Sequence, residues 1–119
     1  MAWSPITAGD GRASHHTFTT DSGTFLLTGV ANGSIAMHLE DINNNNALYV
    51  CTGAWNITNG GSIGPPVVPS TADFTPSAAD LLATNPLGKP GLYKAYPVVT
   101  LSTGPVAMDF QLLSVISEP

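Results

Sequence analysis

A short strand, one capped helical turn and a long strand follow one another between Phe74 and Leu101, and no other stretch constrains the fold as much. Thr75 is placed to accept hydrogen bonds from the backbone N–H groups of the turn that follows. Pro76 takes the first helical position, where a missing N–H costs nothing, and Asp80 falls near the positive end of the turn. Gly91-Leu92-Tyr93 then opens an apolar run to Leu101. One short helix near 76–84 between two strands of a strand-rich chain connects sheets, and the expected class is an all-β sandwich.

The rest of the chain agrees in period. Ile35, Met37 and Leu39 alternate with Ser34, Ala36, His38 and Glu40, which describes a strand with one buried face. Asn32-Gly33 marks a tight turn before it, and Asn43 to Asn46 a polar loop after it. Leu48 to Cys51 begins a further strand, with Trp55 to Thr58 as its continuation or hairpin partner. Gly60-Gly61 and Gly64-Pro65-Pro66 make a non-helical loop. Pro97 lacks a ladder donor, so the strand from Leu92 to Leu101 is expected at an edge, or bulged there. Val106, Met108, Phe110 and Leu112 alternate before the phase slips to Leu113 and Val115, which predicts a bulge in the last strand. About seven strands are expected in one domain over 17–119. Residues 1–16 read as an N-terminal arm with Trp3 and Ile6 as apolar anchors.

Only 9% of residues are charged, against about a quarter in an ordinary soluble domain. Neutral surface on this scale favours assembly into something larger. The net charge is −5, with Arg12, Lys89 and Lys94 the only cations. Three scattered cations cannot neutralise a run of phosphates, so neither nucleic acid nor an anionic membrane surface is an expected partner. No apolar run reaches the length of a membrane span. Met1 to Pro5 carries no leader pattern, and Cys51 is the single cysteine, which together fit synthesis in a reducing cytoplasm.

Chemistry-bearing groups are sparse. His15 and His16 are adjacent on a strand and so face opposite sides, a poor geometry for one metal ion. Asp41-x-Asn43-x-Asn45 opens like a calcium loop, but Asn46 stands at the sharp-turn glycine and Thr52 at the bidentate acid. Cys51 lies in an apolar strand and reads as a core thiol. No nucleophile elbow, phosphate loop or zinc helix is present. Neither catalysis nor a cofactor or metal is expected. Tyr93 and Tyr96 fall on opposite faces of their strand, and Trp55 reads as core more readily than as a sugar platform.

Three blocks resemble a family. They are Gly23-Thr24-Phe25-Leu26-Leu27-Thr28-Gly29-Val30; Ala47-Leu48-Tyr49-Val50 to Trp55-Asn56-Ile57-Thr58; and Phe74-Thr75-Pro76-Ser77-Ala78-Ala79-Asp80 with Gly91-Leu92-Tyr93. In order and spacing these blocks are similar to the immunoglobulin-like N-terminal domain of baseplate upper proteins and related small virion proteins of tailed bacteriophages. The resemblance implies an immunoglobulin-like sandwich without catalytic residues. It also implies a virion location and docking on other virion proteins, major capsid or tail and baseplate proteins, with self-association as a further option. With a single domain expected, no second half is expected to grip a receptor-binding protein, so capsid decoration is favoured over a tail or baseplate role. A carbohydrate-binding module aiding host attachment is the alternative. The expected contacts are Trp3, Ile6, His15, His16, Pro65, Pro66, Tyr96 and Pro97.

Overall fold

The computed structural model describes residues 4–117, which form an all-β sandwich. Its strands are β1 (Ile6–Thr7), β2 (Ser14–Thr17), β3 (Thr19–Thr20), β4 (Gly23–Thr24), β5 (Ile35–Asp41), β6 (Ala47–Val50), β7 (Ala54–Asn59), β8 (Thr71–Thr75), β9 (Gly91–Leu101), β10 (Gly104–Ala107) and β11 (Gln111–Ile116). One sheet runs β1-β11-β9-β5-β6, with β10 also on β9; the other runs β2-β8-β7, and β3-β4 is a small separate hairpin. β1 lies parallel to β11, and the other pairings are antiparallel. The Tyr93 hydroxyl donates to the Lys89 carbonyl at 2.8 Å, closing the corner before β9.

The core follows from alternation. Ile35, Met37 and Leu39 of β5, Tyr93, Ala95 and Val99 of β9, and Leu113 and Val115 of β11 point inward. They meet Ala72 and Phe74 of β8 and Trp55 of β7, with Phe18, Leu27 and Leu87 filling the ends. Trp55 packs against Phe18 with ring centroids 5.7 Å apart and against Phe74 at 5.2 Å. Cys51 is buried beside them, and desolvation pushes its thiol pKa up, so it acts as a small apolar side chain.

Several expectations are corrected. The segment 1–16 is no detached arm over its described residues: Ile6 is in the core, and β2 pairs with β8 along its length. Trp3 lies outside the described residues. No α-helix spans 76–84; the connector is a 3-10 turn at Ala79–Leu81, with another at Pro86–Gly88. Its cap is Ser77 rather than Thr75. The Asp80 N–H donates to the Ser77 hydroxyl at 3.3 Å, and the Ser77 N–H donates back to the Asp80 carboxylate at 3.0 Å, a reciprocal box.

Pro97 sits in the central strand, not at an edge. Met37 faces Pro97 across β5-β9. The Met37 carbonyl is turned away from β9 to accept Cys51 N–H at 2.9 Å, so this pair makes no ladder bond. Pro97 therefore aims its backbone at the opposite side, where its carbonyl accepts Met108 N–H at 2.8 Å. That side is the seam at which β9 changes partner from β11 to β10. A proline is tolerated there because no strand presents an acceptor to it. The same seam explains the phase slip near residue 110: two separate strands, not one bulged strand, follow Thr103.

Trp55 to Thr58 neither continues nor pairs with Leu48 to Val50. β6 belongs to the larger sheet and β7 to the smaller, and the chain crosses between them at Cys51 to Gly53. Asp80 fixes that crossing. Its carboxylate is fully buried and accepts Thr52 N–H at 2.8 Å, Gly53 N–H at 2.9 Å and the Tyr49 hydroxyl at 2.8 Å, besides Ser77. A Cβ at Gly53 would stand 2.3 Å from the Thr75 carbonyl, so only glycine allows this approach.

Candidate interaction surfaces

Two surfaces expose apolar side chains in a concentrated way. The first is the outer face of the larger sheet. Because alternate residues point outward, β6 presents Leu48 and Val50, β9 presents Leu92 and Tyr96, and β11 presents Leu112 and Ile116. Leu48 and Leu112 are 55% and 54% exposed. Phe110 extends the patch, with the Lys94 ammonium 5.0 Å from its ring centroid. Two rows cross the strands in register: Leu48, Glu40, Lys94 and Leu112, then Val50, His38 and Tyr96. The Tyr96 hydroxyl donates to the Glu40 carboxylate, and burial with that neighbouring charge pushes the phenol pKa up to about 12. His38 stacks obliquely on Tyr96, and partial burial lowers its pKa despite the Glu40 charge.

The second surface is a finger at residues 60–69. Ser62 and Val68 bridge across its base through two backbone hydrogen bonds of 2.9 and 3.2 Å. Beyond the bridge Ile63, Pro65, Pro66 and Val67 all face solvent, Ile63 at 83% exposure. No charged residue lies between Gly60 and Pro69. The finger stands on a rigid base. Ser70 is fully buried, its hydroxyl donating to the Gly60 carbonyl at 2.6 Å and accepting Leu27 N–H at 2.8 Å. Gly61 adopts φ +80° with its α-carbon wedged against Leu26, where a Cβ would fall 2.5 Å from the Leu26 methyl.

The titratable groups are tied into the fabric of the sandwich. His15 is exposed and its Nδ1 lies 2.5 Å from Asp73 on the neighbouring strand. His16 points inward, 2.7 Å from the Ser14 hydroxyl and against the Trp55 ring. Burial, then the charge of His15, lowers the His16 pKa to about 4, which keeps the ring neutral near pH 7. The Ser14–His16 pair has the atoms of a nucleophile and base, but both residues are buried, at 4% and 6% exposure, so the hydroxyl is closed to a substrate. Among the described residues no three His, Cys, Asp or Glu side chains converge as metal ligands. No helix of the described residues is long and apolar enough to cross a membrane.

Of the expected contacts, the structure exposes His15, Pro65 and Pro66, half-buries Tyr96 on the outer sheet face, and buries Ile6, His16 and Pro97 in the interior. The buried three are corrected from surface to core, since each belongs to the inward phase of its strand. Sequence reasoning missed Leu48, Val50, Leu92, Leu112, Ile116 and Val67, whereas Ile63 lies within the Gly60 to Pro66 loop, which was expected among the contacts. A signal was present for the sheet face: Leu48 to Cys51, Leu92-Tyr93 and Leu112-Leu113 are apolar in both phases of the alternation, so one phase had to face outward. No family model, no curated protein and no solved structure matches this chain.

Proposed function

We propose that this chain is a non-enzymatic structural module of a tailed-phage virion, docking on another virion protein through the finger at 60–69. The observation that carries the docking is the finger itself, an uncharged loop that holds Ile63, Pro65, Pro66 and Val67 in solvent on a buried, hydrogen-bonded base. A loop whose base is anchored by backbone hydrogen bonds has less backbone freedom to lose on binding than an unanchored one, which favours affinity. The virion context comes from the sequence resemblance. Within it, decoration of the capsid is favoured over a tail or baseplate position, after synthesis in the host cytoplasm. Two of the rings that a sugar platform could use, Trp55 and Tyr93, are core residues.

Cosedimentation with capsids and with tails tests the proposal. Saturable binding to capsids that is lost in an Ile63→Ser, Val67→Ser double variant, with its melting temperature unchanged, is the expected result. Binding that survives both substitutions would remove the finger from the interface. No association with either particle would end the virion reading.

A further inference from the structure

We infer that the outer face of the larger sheet is a self-complementary interface, covered in solution by the same face of a second copy of this chain. The row Leu48, Glu40, Lys94, Leu112 carries the inference, since it crosses β6, β5, β9 and β11 in that order and is in register at every step. Read across the sheet, it is apolar, acidic, basic, apolar. An isologous contact demands a surface that complements itself. A two-fold axis in the interface plane, along the strands and midway between β5 and β9, meets that demand. It sets Glu40 of each copy against Lys94 of the other and Leu48 against Leu112, twice over.

The adjoining rows obey the same operation. His38 of β5 comes to face Tyr96 of the second copy, and Val50 on β6 lies over the β11 side, where Phe110 is exposed. On the other side, Ile42, whose N–H donates to the Leu92 carbonyl at 3.2 Å, comes to face Leu92. No like-charged pair arises. Elsewhere the chain is acidic: its net charge is −5, while Glu40 and Lys94 cancel on this face. Two copies therefore repel in most orientations and are free to approach in this one. Sheets packed face to face lie about 10 Å apart, within reach of a Lys–Glu pair from opposite sides. Four strands at a spacing of about 4.8 Å and about 20 Å long project on the order of 400 Å². Side-chain relief brings that toward the ~800 Å² per partner of a small specific interface.

The experiment is sedimentation equilibrium of the full chain and three variants, each first checked for a cooperative melt. The wild type is expected to be a dimer at about 100 µM. Glu40→Lys leaves two cations per face and Lys94→Glu two carboxylates, so each variant alone is expected to dimerise at least about tenfold more weakly. An equimolar mixture of the two is expected to regain the dimer, because every cross-copy pair is again opposite in charge. Leu48→Thr, at an exposed position where folding is undisturbed, is expected to weaken the dimer without touching the charges. A wild type that stays monomeric overturns the inference, as do single charge variants that dimerise like the wild type or a mixture that stays monomeric. Ile63→Ser is expected to leave the dimer unchanged, which separates this face from the finger.

Discussion

Replacing Asp80 by asparagine tests the junction between the two sheets. The carboxylate is fully buried; one oxygen accepts Thr52 N–H, the Tyr49 hydroxyl and, at 3.3 Å, the Thr52 hydroxyl, and the other accepts Gly53 and Ser77 N–H groups. An amide keeps one acceptor oxygen and sets an NH2 group where the other stood. In its better orientation the NH2 faces the Tyr49 side, where the two hydroxyls can turn to accept from it. The Thr52 N–H is then stranded, at about 1–3 kcal/mol for a buried donor. The remaining bonds lose their charge assistance, roughly another 1 kcal/mol each. The expected loss is about 3–5 kcal/mol, a large part of the ~5–15 kcal/mol that holds a domain of this kind. Urea denaturation of Asp80→Asn at pH 7 measures it, with Tyr49→Phe as a comparison expected to cost about 1–2 kcal/mol. The pH dependence gives a second readout. Burial alone would raise the Asp80 pKa, but the donors from Thr52, Ser77, Tyr49 and Gly53 outweigh it and hold the pKa below the ordinary 3.8. The stabilisation is therefore complete above pH ~4 and drains away as pH falls through the folded value. The asparagine variant should lack this acid limb. A variant within 1 kcal/mol of the wild type, or one with the same acid limb, would refute the reasoning.

His16 titrates in a separate window. Its pKa falls from 6.5 in the unfolded chain to about 4 in the folded one. Stability is therefore expected to drop by roughly 3 kcal/mol between pH 6.5 and pH 4, a slope that denaturation of a His16→Gln variant should not show. Ile6 belongs to the core although it lies six residues into the chain. Ile6→Ala is expected to cost about 2–4 kcal/mol in chemical denaturation, whereas a free arm would leave the midpoint unmoved.

The sequence made some features legible and hid others for physical reasons. β5 could be read because its outward phase is polar and its inward phase apolar. The opposed faces of Tyr93 and Tyr96 followed from the same period, and Cys51 and Trp55 from their apolar surroundings and residue type, and all of these hold in the structure. The connector was visible at Pro76 to Asp80, yet its principal bonds were not. Asp80 reaches Thr52 and Gly53 across 28 and 27 positions of sequence, and no local pattern reports such a partner. Pro97 misled because a proline constrains only its own N–H. The statement that it sits at an edge holds for one side of one residue, and here that side is a seam within a central strand. The outer sheet face was hidden differently. Apolar residues occupy both phases of β9 and β11, so the alternation does not tell the core face from the outer one. The finger was seen as a loop, but its exposure depends on Ser70 and Gly61 propping it away from the sandwich.

The parallel pairing of β1 with β11 has a mechanical consequence. Ile6 and Thr7 lie beside Val115 and Ile116, and the Ala8 N–H donates to the Ile116 carbonyl at 2.8 Å. The Ser114 N–H donates to the Ser4 hydroxyl at 2.9 Å on the same seam. The chain enters one end of this seam and leaves from the other. Tension drawn between the two flanks thus slides the strands past each other along their length. All the bonds of the seam stretch together, where a hairpin pulled from its open end would release them one by one. Traction on the flanks is met by a clamp loaded in shear.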